Sequence, residues 1–165
     1  MNSTVYLEKF HLAASEITGE TLSKYRLKLS VDTILESVVL KVYKPEWTSN
    51  PLSPLEAEGR IFFSVWVNDE TIRKNKIYYN IHAFQLRALK DYKIPARDFA
   101  QIFREEFLKH RRDWPNVSVE YGPLTLMQGW TELNIDHIEK DVHELVQHFF
   151  KISFIMDSIL EPYKK

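Results

Sequence analysis

Two runs in the middle of the chain, within the stretch 59–110, alternate apolar and other residues with a period of two. In the first, Ile61, Phe63, Val65 and Val67 are apolar, and in the second so are Ile77, Tyr79, Ile81 and Ala83. Successive side chains of a strand point to opposite faces, so each run predicts a strand with one buried row. The polar segment 68–76 (NDETIRKNK) between them reads as a hairpin connection, longer than a tight two-residue turn. Pairing in which partner positions add to an even number brings both apolar rows to one face. The other face then sets Phe62, Ser64, Trp66 and Asn68 against Tyr78, Asn80, His82 and Phe84.

That second face is mixed. An aromatic side chain buries about 150–250 Å², and a soluble monomer rarely exposes an apolar patch beyond about 300–600 Å². The face therefore predicts a cover: a helix of the same chain, a second subunit in a homodimer, or a ligand. For a small molecule or protein partner the candidate binding residues are Ser64, Trp66, Tyr78, Asn80 and His82, aromatic walls excluding water while polar groups orient the guest.

The remaining pattern supplies the frame. Residues 4–17 predict a helix with Tyr6, Phe10, Ala13, Ala14 and Ile17 on one side, stopped at Gly19. Segment 20–36 fits strand alternation through Tyr25, Leu27, Leu29 and Val31, and a helical face through Leu27, Val31, Ile34 and Leu35. Helix is preferred because Asp32 and Glu36 do not continue the alternation, making 1–36 a mainly helical part. Residues 37–90 then hold the strands, beginning with 38–44 (VVLKVYK), which Pro45 ends. The proline-bearing stretch 46–58 is a loop. Pro95 opens a helix over 95–111 with Phe99, Ile102, Phe103 and Phe107 on one stripe. Residues 117–133 read as a bulged strand or loose hairpin, and 135–160 as a long C-terminal helix. Together these predict a single α+β domain: an antiparallel sheet of about four to five strands with helices packed on it.

Composition narrows the chemistry. The chain of 165 residues is 44% hydrophobic and 27% charged with a net charge of −1, as expected of one globular domain. The near-neutral balance gives no global reason to expect nucleic acid. With no cysteine there is no disulfide, thiolate metal site or cysteine nucleophile. The first residues, MNSTVYLEKF, do not resemble a signal peptide. No apolar run approaches the roughly 20 residues of a membrane span, so a cytoplasmic protein without membrane contact is expected. The four glycines, at 19, 59, 122 and 129, allow neither a dinucleotide fingerprint nor a P-loop, and no cofactor is implied.

Two other constellations carry possible chemistry. His137, Asp141, Glu144 and His148 are spaced to share one stripe of the C-terminal helix. The two histidines stand about 16 Å apart at 1.5 Å per residue, so only neighbours along the row can share an ion. The predicted helix 95–111 presents Arg97, Arg104 and Arg111 in a basic region, 87–112, that could follow a phosphate backbone, diluted by Asp91, Asp98, Glu105 and Glu106. The expected function is a non-enzymatic domain binding a small ligand or partner on the sheet face. The alternatives are a metal-dependent hydrolase or nuclease, and a nucleic-acid-binding domain.

Overall fold

The computed structural model describes residues 2–165. The alternating runs form β3 (Arg60–Val67) and β4 (Lys76–Phe84), paired antiparallel with Ile61 opposite Ala83, Phe63 opposite Ile81 and Val65 opposite Tyr79. The apolar rows share one face, and Ile61, Phe63, Val65, Val67, Ile77, Tyr79, Ile81 and Ala83 are all fully buried. The connection is more than a loop, since Asp69–Arg73 winds into a short helix, α3. Its start is closed by reciprocal bonds: Thr71 N–H donates to Asn68 Oδ1 (3.0 Å), and Asn68 N–H donates to Thr71 Oγ1 (2.9 Å).

Strands β1 (Lys28–Ile34), β2 (Ser37–Tyr43) and β5 (Thr125–Glu132) complete a five-stranded antiparallel sheet in the order β1-β2-β3-β4-β5. This corrects the helical reading of 20–36. Helix α2 covers only Gly19–Tyr25, and the rest is a strand and its turn. Asp32 does not interrupt the alternation. It belongs to the even-numbered row with Lys28 and Ser30, while Leu29 and Val31 pack at the margin of the core. Glu36 lies in the turn, with φ of 65° beside Leu35 at 48°. Nor does Gly19 stop a helix: α1 (Ser3–Ser15) has already ended, and Thr18 caps α2 by accepting a bond from Thr21 N–H (3.1 Å).

The helices cover the apolar face. Helix α1 lies over β1 and β2, α5 (Ile138–Ile152) over β3, and α4 (Ala96–Phe107) against β5 and α6 (Phe154–Leu160). The C-terminal helix is long but bent: α5 gives way to α6 at Ser153, whose hydroxyl donates to Phe150 O (3.0 Å). Such back-bonding bends helices. Phe63 stacks on Phe149 with ring centroids 4.7 Å apart, joining sheet to helix at the centre. On β5, Gly129 faces Tyr79, whose hydroxyl donates to Pro115 O (2.5 Å). A Cβ at 129 would collide with that hydroxyl and with Pro115 O, so the bond requires glycine.

The long connection 44–59 is anchored on the same side. Asp157 of α6 accepts bonds from Lys44 Nζ and from Trp47 Nε1 (2.8 Å), and Trp47 is fully buried against Phe149. Among the described residues, no helix is long and apolar enough to cross a membrane.

Candidate functional site: the open sheet face

With the helices on one side, the other side of the sheet carries an open cleft of about 460 Å³. Register arranges this side of the sheet in rows that run across the strands. One row sets Phe62 beside His82, the next Lys41, Ser64, Asn80 and Gln128, and the third Val39, Trp66, Tyr78 and Trp130. A polar row thus runs between two aromatic ones, about 13 Å apart at 3.3 Å per residue. The β1–β2 turn forms one end of the cleft, where Leu35 is 94% exposed.

The aromatic rows pack against themselves. Trp66 stacks on Tyr78 with centroids 5.2 Å apart, and His82 on Phe84 at 4.8 Å. Phe62 stands 5.4 Å from the His82 ring and 5.6 Å from that of Phe84. Two cations lie over Phe62, Lys41 Nζ at 4.7 Å and the Arg60 guanidinium at 5.5 Å. Their stems shield the ring, which is why an aromatic residue on an open face is only 6% exposed.

In the polar row, Ser64 Oγ donates to Asn80 Oδ1 (2.5 Å), and Asn80 Nδ2 donates to Gln128 Oε1 (3.3 Å). Each amide oxygen thus already accepts one bond. The second Asn80 N–H, both Gln128 N–H groups and the Lys41 ammonium have no hydrogen-bond partner among the described residues. Neither Lys41 nor Arg60 forms an ion pair among the described residues. Arg60 donates one bond, to Ala57 O (2.7 Å), while its buried Nε–H has no partner. Burial lowers the Lys41 pKa, and the nearby Arg60 adds to the effect, Asp32 opposing it only in part. His82 is also pushed down, chiefly by burial and then by Lys41 and Arg60, against a backbone bond to Leu124 O that raises it. The site is rich in donors and short of negative charge.

All five residues expected here, Ser64, Trp66, Tyr78, Asn80 and His82, point to this face, but only Ser64, Trp66, Asn80 and His82 line the cleft itself. Sequence pattern alone does not single out Lys41, Arg60 or Gln128. Lys41 does carry a signal: in VVLKVYK it stands on the opposite parity from Val38, Leu40 and Val42.

The other constellations lie elsewhere. His137 precedes α5, at the position before its first residue, and lines a different depression from Glu144 and His148. Asp141, Glu144 and His148 do meet in a cleft of about 480 Å³ beside Arg112 and Asp113. His148 Nε2 lies 4.0 Å from Glu144 Oε1, and burial, followed by the Glu144 charge, raises the Asp141 pKa. Among the described residues, no group of three or more His, Asp or Glu side chains is placed to hold a metal ion.

Arg97 and Arg104 line one depression beside α4, and Arg111 lies outside it. Arg104 is clamped to backbone oxygens, donating to Leu126 O (3.1 Å), Gly122 O and Thr125 O (both 2.9 Å). Arg111 lies beyond α4 and donates to Val117 O (3.1 Å). Compared with models of known families, with curated proteins and with solved structures, the chain matches none.

Proposed function

We propose that this protein is a binding module, without catalysis, that holds a small organic anion with a flat or apolar body in the cleft on its open sheet face. The observation that carries the reading is the pair Lys41 and Arg60. Lys41 lines the cleft beside unused amide donors, Arg60 lies over Phe62 and Phe84 at its margin, and neither forms an ion pair among the described residues. Holding like charges together in partly desolvated surroundings costs free energy, and a bound anion removes that cost. Charge-assisted bonds from Lys41, Arg60 and Gln128 would take the anionic group. Trp66, Phe84 and the exposed Leu35 would flank the body of the guest. With Nδ1 held by Leu124 O and Thr125 Oγ1, His82 has Nε2 left to bond the guest.

The test is a ligand screen with aromatic carboxylates and mononucleotides, read by tryptophan fluorescence and thermal shift. Trp66 lines the cleft, whereas Trp47 and Trp114 are buried on the helix side and Trp130, under Lys76 Nζ, lies outside the cleft, so a guest should quench a signal that Trp66→Phe removes. Lys41→Gln should weaken binding by about tenfold or more, the loss of one charge-assisted bond. Tight binding untouched by Lys41→Gln and Arg60→Gln, or no binding by any anion of the panel, would sink the reading.

A further inference from the structure

The two margins of the sheet are treated differently. At β5 several of the outward backbone groups are occupied. Ser118 and Gln128 exchange N–H to carbonyl bonds (2.8 and 3.0 Å), Asn116 Nδ2 donates to Trp130 O (3.0 Å), and Arg104 takes Leu126 O. At β1, among the described residues, no strand or bridge lies on the outer side. An uncovered edge is a template for another strand.

The turn fixes which β1 groups face outward. Leu35 and Glu36, both at positive φ, form a two-residue hairpin loop, so Ile34 and Ser37 close it as a hydrogen-bonded pair. Counting back by two, Asp32, Ser30 and Lys28 also bond to β2, which turns the N–H and C=O groups of Leu29, Val31 and Thr33 toward the open side. Thr33 N–H agrees with this: it donates to the carboxylate of Asp32 (2.8 Å), a side chain filling the place of a missing strand. Leu29 and Val31 are only partly buried at the margin of the core, so apolar packing is unfinished there too.

From this geometry we infer that β1 pairs antiparallel with β1 of a second copy of the chain, fusing two five-stranded sheets into a continuous one about a two-fold axis through Ser30. Charge selects the register. With Ser30 on the axis, Leu29 exchanges hydrogen bonds with Val31 of the second copy and the reverse. Lys28 stands opposite Asp32 of the second copy on both sides of the axis, at positions where side chains approach most closely. Centring on Val31 instead would set Lys28 against Ile34 and leave both charges unmatched. It would also need the Thr33 N–H that Asp32 already holds. Opposed residues in an antiparallel pair share a face, so both anion clefts would open on the same side of the fused sheet. The dimer does not depend on either cleft being occupied.

Ser30→Cys tests the axis directly, in a chain with no other cysteine. A non-hydrogen-bonded pair has its Cα atoms about 4.5 Å apart, within reach of a disulfide. Mild oxidation should convert this variant to a covalent dimer, while Glu36→Cys at the hairpin tip should cross-link far more slowly. Lys28→Asp should weaken self-association, measured by sedimentation across a wide concentration range, by about tenfold or more. The exchanged variant Lys28→Asp with Asp32→Lys should recover it, and circular dichroism should be native in all four. A wild-type chain that stays monomeric throughout, or a Ser30→Cys chain no quicker to cross-link than Glu36→Cys, or a dimer indifferent to Lys28→Asp, would each overturn the pairing.

Discussion

His82 shows how one side chain reports on its surroundings. Burial, then Lys41 and Arg60, hold its pKa below the usual value of 6.5. As pH falls the unfolded chain takes up this proton before the folded chain does, so stability rises with pH through the window just below 6.5 and levels off above it. Wild-type protein should therefore lose more stability than His82→Gln between about pH 7 and pH 5. Denaturant melts at several pH values would show it, and parallel losses in the two chains would mean that His82 charges freely in the fold. An anion in the cleft should act the other way, favouring protonated His82 and narrowing the loss. Asn80 in the adjacent row is 3% exposed and hydrogen-bonded on both sides, so its worth to folding and to binding is harder to separate by substitution.

Among the elements, the hairpin of β3 and β4 is legible in the sequence because its alternation is strict on both strands and polar residues bound it. Its register follows from parity alone. β1 is hidden for two physical reasons. Its even row is polar because it lies on the open face at the sheet margin, and its turn has Leu35 and Glu36 at positive φ where asparagine or glycine would have announced it. The bend at Ser153 leaves no trace, because a one-residue change of direction keeps Phe149, Ile152, Met156 and Ile159 in phase. The site is half legible: the face of a single hairpin shows in its own sequence, whereas Lys41 and Gln128 join it only through pairing with β2 and β5. Arginines on the 95–111 segment look alike in sequence, yet Arg104 is a brace for residues 122–126. Arg104→Gln should cost about 1–3 kcal/mol, the usual penalty for part-buried acceptors losing a charged donor. It should speed amide exchange in that segment without altering any affinity for oligonucleotides. A melt unchanged from wild type would show the brace to be idle.

At the scale of the whole molecule, strand order follows chain order, and the β1–β2 and β3–β4 pairs close over short connections, while 44–59 and 85–124 separate the other two pairs. The helical cover does not share this economy. Helix α5, which lies over β3 and packs against α1, comes after every strand. A chain growing from the ribosome can therefore complete its meander while Phe63, Val65 and Tyr79 still lack the last part of their roof, since the N-terminal portion is made first. Until residues 138–160 emerge, a wide aliphatic surface lies open beside an unpaired strand edge, the combination most prone to aggregate or to recruit a chaperone. A chain ended at residue 134 should accordingly be insoluble or bind a hydrophobic dye strongly. A soluble fragment with a cooperative melt would show that the sheet is self-sufficient. If the fragment behaves as expected, the closing helix sets how long each new copy is at risk, and a slower passage through codons 85–134 would lengthen that exposure.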